Sequence, residues 1–487
     1  MRKTKIVCTL GPASSDEKTI EQMLKAGMDV ARINMSHGTH KIQKDQIDLF
    51  RKVRDRLGIP AAVMLDTRGP EIRLGDFENG SVTVENGQIF KLTVNPIMGN
   101  SEIAYITYDK LPQKVKEGNT ILIDDGKIEL TVKKTTETEI ECEVVTGGKI
   151  SNHKSLNVPR VALDMEYMSA QDKKDIVFGV ENDVDFIAAS FVRRKEDVIE
   201  LRKFVDYYGG HHIKIIAKIE NIEGIKNFDE ILEHSDGIMV ARGDMGVEIE
   251  YEKLPGIQKK FIKRCYQSGK MVITATQMLE SMIQNASPTR AEITDVANAI
   301  FDGTSAIMLS GESAMGKYPV LAVKVMAKIA QQAEHDAFSM GAYNNISLEV
   351  DSSDTTNAIC DATCTTARDL KAKAIIAVTK YGQTARRMSK FRPFEPVVAA
   401  TPVLKTYHQL SLSWGVYPAL ARYQKNSDEL FIHAIDCAKQ IDIVKDGDIV
   451  VITAGIPVDT SGNTNILKVQ TVGLKETYGM QDAENRD

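Results

Sequence analysis

The sequence has few cysteines, and none of them stands in the spacing of a metal or redox motif. The six cysteines of this 487-residue chain are scattered, and no two form a C-x-x-C pair. This argues against a disulfide framework and against a structural zinc site, and it fits a reducing compartment. Cys360 and Cys364 are four residues apart, so on a helix they would share a face, where we expect apolar burial rather than metal binding.

Long apolar runs and concentrated positive charge are also missing. No stretch approaches the roughly 18 consecutive apolar residues of a membrane span. The N-terminus enters a strand-like segment without the apolar core or cleavage site of a signal peptide. The 61 basic and 67 acidic residues give a net charge of -6, with no extended block of Lys and Arg that would suit a nucleic acid. We therefore expect a cytoplasmic protein whose partners are small molecules, not a nucleic acid or a membrane.

The length predicts about three domains, at roughly 150 residues for each. Short β-branched runs alternate with helix-length amphipathic segments, which is typical of βα units around a parallel sheet. The eight predicted strands are Lys5–Leu10, Val30–Asn34, Ala62–Leu65, Phe186–Ala189, Lys214–Ala217, Gly237–Val240, Met271–Ala275 and Ala306–Leu309. Eight such units close into a (β/α)8 TIM-type barrel, whose functional groups lie at the carboxyl ends of the strands.

Two further segments depart from this pattern. Residues 70–166 carry short alternating runs punctuated by turn pairs such as Asn86-Gly87, which predicts an inserted all-β lid domain over the barrel mouth. A second βα pattern follows the barrel, with predicted strands Ala374–Thr379, Pro396–Ala400 and Asp448–Thr453. The predicted α/β organisation is therefore a barrel at 1–69 and 167–345, a lid at 70–166, a C-terminal α/β regulatory domain at 346–475 and a polar tail at 476–487.

The strongest chemical signal is a pair of acids after two adjacent predicted strands. Glu220 and Asp244 offer oxygen ligands from neighbouring strands, which suits a hard ion such as Mg²⁺, although single acids are usually surface charges. Lys218 stands two residues before Glu220, so in extended backbone both side chains point to the same face. A lysine beside a divalent ion suits a phosphoryl group in transfer, and an ion pair with Glu220 is the alternative.

Other polar residues follow the same strands. Arg242 to Gly246 place glycines where a strand turns into a helix, which predicts free backbone N–H groups for a carboxylate or phosphate. Four oxygen-bearing residues with one formal charge match a monovalent cation better than a second Mg²⁺: Asn34, Ser36, Asp66 and Thr67. Three cations could contact phosphate oxygens, although each alone is more often a solvated charge: Arg32, Arg73 and Lys154.

Taken together, these segments resemble the pyruvate kinase family. The resemblance is carried in order by Arg32–Gly38, Leu65–Arg73, Lys218–Asn221, Met239–Asp244 and Thr276–Met282. It implies transfer of the phosphoryl group of phosphoenolpyruvate to ADP, giving ATP and pyruvate in the last step of glycolysis, with Mg²⁺ (or Mn²⁺) and K⁺ as cofactors. It also implies an allosteric homotetramer.

The resemblance assigns roles to individual residues. Lys218 would stabilise the transferring phosphoryl group, Glu220 and Asp244 would hold Mg²⁺, and the K⁺ ligands would be Asn34, Ser36, Asp66 and Thr67. Phosphoenolpyruvate would contact Arg32, Lys218, Gly243, Asp244 and Thr276, and the nucleotide would contact Asn34, Ser36, His37, Arg73 and Lys154. Thr276 and Ser310 would serve proton delivery to the enolate, through water. Glu71 matches family members that depend on potassium.

The C-terminal domain carries a second candidate site. Thr379 to Thr384 follow a strand and enter a helix, so their hydroxyls and amides suit a phosphate, while a plain N-cap turn is the alternative. The resemblance implies an effector phosphate site at Thr379, Gly382, Gln383 and Thr384. A second Gly-rich loop carries Asp459, which would repel phosphate, so a sugar monophosphate, a nucleotide monophosphate and fructose bisphosphate all stay open as the phosphorylated effector.

Two other functions fit parts of the pattern. A barrel lyase or aldolase acting on pyruvate enolate would use the same acid pair, but it would not need a lid lysine and a potassium site. A metabolite sensor without turnover would keep the C-terminal domain, but it would not need intact groups at the strand ends.

Overall fold

The computed structural model describes residues 1–161, 163–341, 343, 354–424, 426–457 and 464–474. Eight parallel strands form a closed barrel, in which neighbouring strands follow the chain except where the lid is inserted. These strands are Lys5–Thr9, Val30–Asn34, Ala62–Asp66, Phe186–Ala189, Lys214–Ile219, Gly237–Ala241, Met271–Ala275 and Ala306–Leu309. All eight predicted strands are confirmed, and the strand that begins at Lys214 is two residues longer than predicted.

The barrel strands are buried on both faces because side chains fill the barrel and helices cover it. Met64, Phe186, Ile216 and Met308 are among the side chains that pack inside. Leu412 of the C-terminal domain joins this inner cluster and closes the barrel from the amino end. Burial on both sides explains why the strands appear in the sequence as short continuous apolar runs.

Helices surround the barrel, and polar caps fix where several of them begin. Ser169 and Thr289 each form a capping box with an acid three residues later. Gly27 and Gly58 end the first two α-helices in the left-handed conformation that favours glycine. The α-helices are Glu17–Ala26, His40–Leu57, Ala170–Glu181, Lys195–Tyr207, Ile222–Lys226, Phe228–His234, Arg242–Glu248, Leu254–Gln267, Arg290–Phe301, Gly311–Ala314 and Pro319–Ser339, and 3-10 helices span Pro12–Ser14, Tyr251–Lys253 and Glu280–Ile283.

The segment inserted after the third barrel strand is almost entirely β-structure. In spatial order, its seven-stranded sheet consists of Ile72–Arg73, Ser155–Asn157, Thr120–Ile123, Ile128–Thr135, Glu139–Thr146, Ile89–Thr93 and Ile103–Tyr105. Gly148–Ser151 and Ser81–Val84 form a separate pair, and Leu111–Lys114 is a short helix that the sequence analysis missed. The insertion has its own hydrophobic core.

The C-terminal part folds around a five-stranded sheet. In spatial order its strands are Val416–Leu420, Val397–Thr401, Ala374–Val378, Ile449–Ala454 and Ile466–Thr471, and only the last pair is antiparallel. The α-helices are Thr355–Asp369, Gln383–Lys390, Leu404–Gln409 and Ser427–Gln440, with a 3-10 helix at Leu410–Leu412. Three of these strands were predicted, whereas Val416–Leu420 and Ile466–Thr471 were not.

Some predictions can be compared with the structure only in part. Cys360 and Cys364 lie on helix Thr355–Asp369 within an apolar cluster, as expected. Asp459 and the predicted tail at 476–487 lie outside the described residues. Of the helices that the structure describes, none has the length and apolar character needed to cross a bilayer.

Candidate active site

Lys218 is the centre of a buried charge cluster at the carboxyl end of the barrel. Its ammonium lies 2.7 Å from Ser190 Oγ and 3.0 Å from both Asp66 Oδ1 and Glu220 Oε1. Only 8% of Lys218 is exposed. Burial alone would lower the pKa of Lys218, but Asp66 and Glu220 outweigh it and raise the pKa above its usual range. The ammonium therefore stays charged. The ion pair with Glu220, which the sequence analysis gave as the alternative, is present, and Lys218 also lies at the carboxyl end of the barrel.

Glu220 and Asp244 bring two carboxyl groups together beside this lysine. Glu220 is buried, and its Oε2 accepts a hydrogen bond from the Phe191 amide at 2.5 Å. Burial and the nearness of Asp244 raise the pKa of Glu220, and burial likewise raises the pKa of Asp244. Two neighbouring buried carboxylates favour a divalent cation, since its charge offsets their mutual repulsion.

This donor set fits Mg²⁺ or Mn²⁺. Two carboxylates are typical protein ligands for Mg²⁺, which keeps waters and substrate oxygens as its other ligands. Among the described residues, no group of three or more His, Cys, Asp and Glu side chains gathers as a ready-made metal site. Glu220 and Asp244 form such a pair of carboxyl groups.

Arg32 and Asp66 form the second half of the cluster. Arg32 Nε lies 2.6 Å from Asp66 Oδ2, and Arg32 Nη1 donates to Thr9 Oγ1 at 2.9 Å. Burial would raise the pKa of Asp66, but Arg32 and Lys218 together hold it below its usual range. Both oxygens of this carboxylate thus contact cations of the protein itself.

The predicted monovalent-cation residues lie at the ends of two adjacent strands. Asn34 and Asp66 are register partners and the last residues of these strands. Ser36 follows Asn34 by two residues, and Thr67 directly follows Asp66. The Asn34 side-chain oxygen accepts a hydrogen bond from the Ser36 amide at 3.1 Å. Neutral oxygens beside one carboxylate keep the local negative charge low, which suits K⁺.

Gly243 and Thr276 meet across the mouth. The Gly243 amide donates to Thr276 Oγ1 at 2.7 Å. The prediction that this amide is free is therefore wrong. Thr276 and Gln277 both have positive φ, at 71° and 54°. Arg242 donates to the Thr276 carbonyl at 2.7 Å and so supports this unusual turn. Ser310 lies directly after the last barrel strand, and its amide donates to Glu312 Oε2 at 2.7 Å.

Three of the five predicted nucleotide contacts line a cleft between the barrel and the inserted domain, whereas Asn34 and Ser36 are not among its lining residues. His37, Arg73, Lys154 and Asp244 border this cavity of about 780 Å³. Arg73 pairs with Glu71 and donates to the His153 carbonyl, and Lys154 pairs with Asp124 at 2.7 Å. Burial, followed by nearby arginines, lowers the pKa of His37. The lid side of the cleft therefore carries cations that are paired with lid acids, and Asp244 borders the cleft from the barrel.

Two residues of this region escaped the sequence analysis. Ser190 contacts Lys218 and donates to Asp66 Oδ1 at 3.2 Å, and it directly follows strand Phe186–Ala189. The rule that found the other strand-end residues would have found it too. Asp124 has positive φ in a lid turn and pairs with Lys154, a contact that no local sequence signal reveals.

The C-terminal site residues line a separate cavity. Thr379, Gln383 and Thr384 border it, together with Thr464 and His433. Thr384 and Thr464 share a hydrogen bond of 2.8 Å between their hydroxyls, and the Gly382 amide donates to Thr379 Oγ1 at 3.0 Å. The structure thus brings the four predicted residues together around one strand-to-helix turn.

Comparisons with known proteins agree along the whole chain. A family model described as the barrel domain of pyruvate kinase matches residues 1–323, and one described as its alpha/beta domain matches residues 357–470. A pyruvate kinase of Clostridium acetobutylicum is 48% identical over 477 residues, covering 97% of this chain and 100% of the relative. One of Staphylococcus haemolyticus is 47% identical over 475 residues, covering 97% of this chain and 81% of the relative.

A solved structure has the same overall fold. The crystal structure of a pyruvate kinase from Cryptosporidium parvum superimposes with a TM-score of 0.90 at 38% sequence identity, covering 96% of each chain.

Proposed function

This chain belongs to the pyruvate kinase family and transfers the phosphoryl group of phosphoenolpyruvate to ADP, and we propose which of its residues perform each step. The observation that carries the proposal is the buried Lys218 ammonium, 3.0 Å from both Asp66 and Glu220. It places a cation that suits a phosphoryl group beside Glu220, one of the two carboxylates that suit a divalent ion.

In the proposed mechanism, Lys218 and Arg32 bind the phosphoryl group of phosphoenolpyruvate. The bond between phosphorus and the enol oxygen breaks, and a β-phosphate oxygen of ADP forms the new bond to phosphorus. The enol oxygen keeps the electron pair, so an enolate is left. Lys218 and Arg32 are held in place by Asp66, which orients both cations before substrate arrives.

Glu220 and Asp244 would hold Mg²⁺ or Mn²⁺, which supplies positive charge to the enolate and phosphate oxygens. Gly243 and Thr276 would border the carboxylate of phosphoenolpyruvate, with Thr276 oriented by its contact to the Gly243 amide. Protonation of the enolate carbon completes pyruvate. We assign this proton delivery to Thr276 and Ser310 through water, since an isolated hydroxyl is a weak acid at neutral pH.

We propose that K⁺ binds at Asn34, Ser36, Asp66 and Thr67. Glu71 supports a need for K⁺, because it matches family members that depend on potassium. Burial raises the pKa of Glu71, although the Arg73 contact opposes this. Position 71 itself therefore carries an acid and not a cation that would replace K⁺.

The nucleotide would enter the cleft between the barrel and the lid. His37, Arg73 and Lys154 border it. We keep Asn34 and Ser36 as nucleotide contacts from the barrel side, as the resemblance implies. Lys154 is paired with Asp124, so binding of a phosphate would exchange one anionic partner for another. We propose the lid limits at 70–166, the barrel at 1–69 and 167–345, and the C-terminal domain at 346–475.

We propose that the C-terminal cavity binds the phosphate of an allosteric effector through Thr379, Gly382, Gln383 and Thr384. Hydroxyls and a strand-to-helix turn support this assignment, as they do in other phosphate sites. A cytoplasmic homotetramer is the state in which we expect this regulation to operate.

A coupled assay tests the reaction and the ions together. Pyruvate formation from phosphoenolpyruvate and ADP is followed through lactate dehydrogenase, and ATP is measured separately. We expect equal amounts of ATP and pyruvate, with turnover that requires Mg²⁺ or Mn²⁺ and is activated by K⁺. Pyruvate without ATP would indicate lyase chemistry, and binding without turnover would indicate a sensor.

A further inference from the structure

A small cavity lies at the junction of the barrel and the C-terminal domain, away from the sites described above. Tyr266, Met271 and Ser305 line it from the barrel, and Arg392 and Trp414 line it from the C-terminal domain. It holds about one water-sized sphere, with a volume near 10 Å³. Its occupant must therefore be very small.

The cavity is bordered by buried donors that have no partner. Arg392 is 4% exposed, and its Nε and Nη1 lack any hydrogen-bond acceptor. The Ser413 hydroxyl and the Trp414 indole N–H are also buried without a partner. One unpaired buried donor costs about 1–3 kcal/mol. A cluster of them around one cavity indicates a missing acceptor.

The charge of the lining points to an anion. Lys270, Arg386, Lys390 and Arg392 border the cavity, and among the described residues that line it none is Asp or Glu. The Arg392 guanidinium lies 4.4 Å from the Trp414 ring centre, and its Nη2 donates to the Gly303 carbonyl at 2.6 Å. These contacts hold the guanidinium in place but leave its positive charge without a buried counter-ion.

The nearest carboxylate that influences Arg392 is already used elsewhere. Glu334 accepts the backbone amides of Lys3 and Thr4 at 2.8 and 2.5 Å. Burial lowers the pKa of Arg392 to about 10, so this group is still protonated near neutral pH. A water molecule would satisfy some of these donors, but it would leave the positive charge of Arg392 without a counter-ion.

We propose that this cavity is a binding site for a single halide-sized inorganic anion, held by Arg392, Ser413 and Trp414. Chloride is the physiological ion of this class. Because the lining comes from both parts of the chain, the ion would join the barrel to the C-terminal domain. It would stabilise their junction and take no part in the reaction.

Bromide tests the site directly, because it scatters anomalously and has the charge of chloride. Crystals of the full chain grown or soaked in potassium bromide should show an anomalous peak beside Arg392. In solution, Tm should be higher in potassium chloride or bromide than in potassium gluconate of equal concentration, by about 2 °C. Keeping K⁺ constant separates this effect from the proposed K⁺ site.

Variants show whether the salt effect belongs to this cavity. Arg392→Lys keeps a cation but loses the unpaired Nε and Nη1 donors, and Lys390→Met removes a second lining charge; both should abolish the Tm difference. Arg368→Gln is the control, because Arg368 is exposed and pairs with Asp369 outside the cavity, and it should keep the difference. No bromide peak, or a Tm difference unchanged in Arg392→Lys, would overturn the proposal.

Discussion

The two ends of the barrel use the same residue types in different ways. At the amino end, three aspartates each stand directly before a strand and accept a backbone amide of the neighbouring strand. Asp29 accepts from Ile6 at 2.7 Å, and Asp185 and Asp236 bind strand amides in the same way. These carboxylates have fixed backbone partners, so they serve the register of the sheet.

At the carboxyl end, acids meet side chains and one another. Asp66 contacts Arg32 and Lys218, while Glu220 and Asp244 are neighbouring carboxyl groups whose negative charges are unfavourable together without a cation. The difference teaches that position along a strand decides the role of an acid. Before a strand it stabilises the fold, and after a strand it prepares a site for ligands.

Strand Lys214–Ile219 allows the sharpest test, since it carries a lysine at each end. Lys218→Met should lower kcat by about 10³-fold or more, because it removes the cation nearest the transferring phosphoryl group. Lys214→Met is the matched control. Lys214 pairs with Asp236 at 2.9 Å and is partly exposed, so its loss should change kcat less than about twofold.

The coupled assay and a binding measurement together decide the outcome for Lys218. Phosphoenolpyruvate and Mn²⁺ should still bind Lys218→Met, as seen by fluorescence and by electron paramagnetic resonance. If turnover survives in Lys218→Met, or is lost equally in Lys214→Met, the two ends of the strand are not functionally distinct.

The acids of the next strand extend the comparison to the metal. Asp244→Asn should raise the Mg²⁺ concentration for half-maximal turnover by about 10- to 100-fold, because a neutral amide is a poorer ligand for a hard cation. Asp236→Asn, before the same strand, should leave it unchanged. Direct Mn²⁺ binding should weaken in Asp244→Asn alone, and equal weakening in both variants would contradict the metal assignment.

A smaller effect is expected where the ligand is a neutral oxygen. Ser36→Ala should raise the K⁺ concentration for half-maximal activation by about threefold to tenfold, because it removes one of several oxygen ligands. Ser15→Ala is the control, because its exposed hydroxyl bonds only the Pro12 carbonyl nearby, at 3.0 Å. Unchanged K⁺ activation in Ser36→Ala would remove Ser36 from the proposed site.

The sequence predicted the barrel well because each strand is buried on both faces. Periodicity therefore identified all eight barrel strands, and the polar residues at the strand ends led to Lys218, Glu220 and Asp244, which the structure places close to one another. It did not identify Val416–Leu420 or Ile466–Thr471. Ile466–Thr471 is an antiparallel strand at the edge of the sheet and is only partly buried, so it does not form a continuous apolar run.

Contacts between residues that are far apart in the chain could not be predicted from the sequence. The partner of Lys154 is Asp124 in a lid turn, and the partner of the Gly243 amide is the Thr276 hydroxyl on another strand end. Spacing along one strand gives the direction of a side chain, as it did for Lys218 and Glu220. Spacing along a strand cannot show which residue of another loop a side chain contacts, because that depends on how the loops fold over the barrel.

The smallest expected effect concerns Asp236, the amino-end counterpart of Asp244. Its carboxylate accepts the Ile215 amide and Lys214 Nζ, both at 2.9 Å. Asparagine keeps an acceptor for the amide but loses the charge, so Asp236→Asn should lower the free energy of unfolding by only about 0.5–1 kcal/mol. Thermal unfolding of the two single variants and of the Lys214→Met/Asp236→Asn pair should give a coupling energy of about 0.5 kcal/mol. Turnover at 25 °C should stay unchanged in all three variants. If Asp236→Asn lost activity as Asp244→Asn does, an acid before a strand would matter to the reaction as much as an acid after it. The division of roles between the two ends of the barrel would then be wrong.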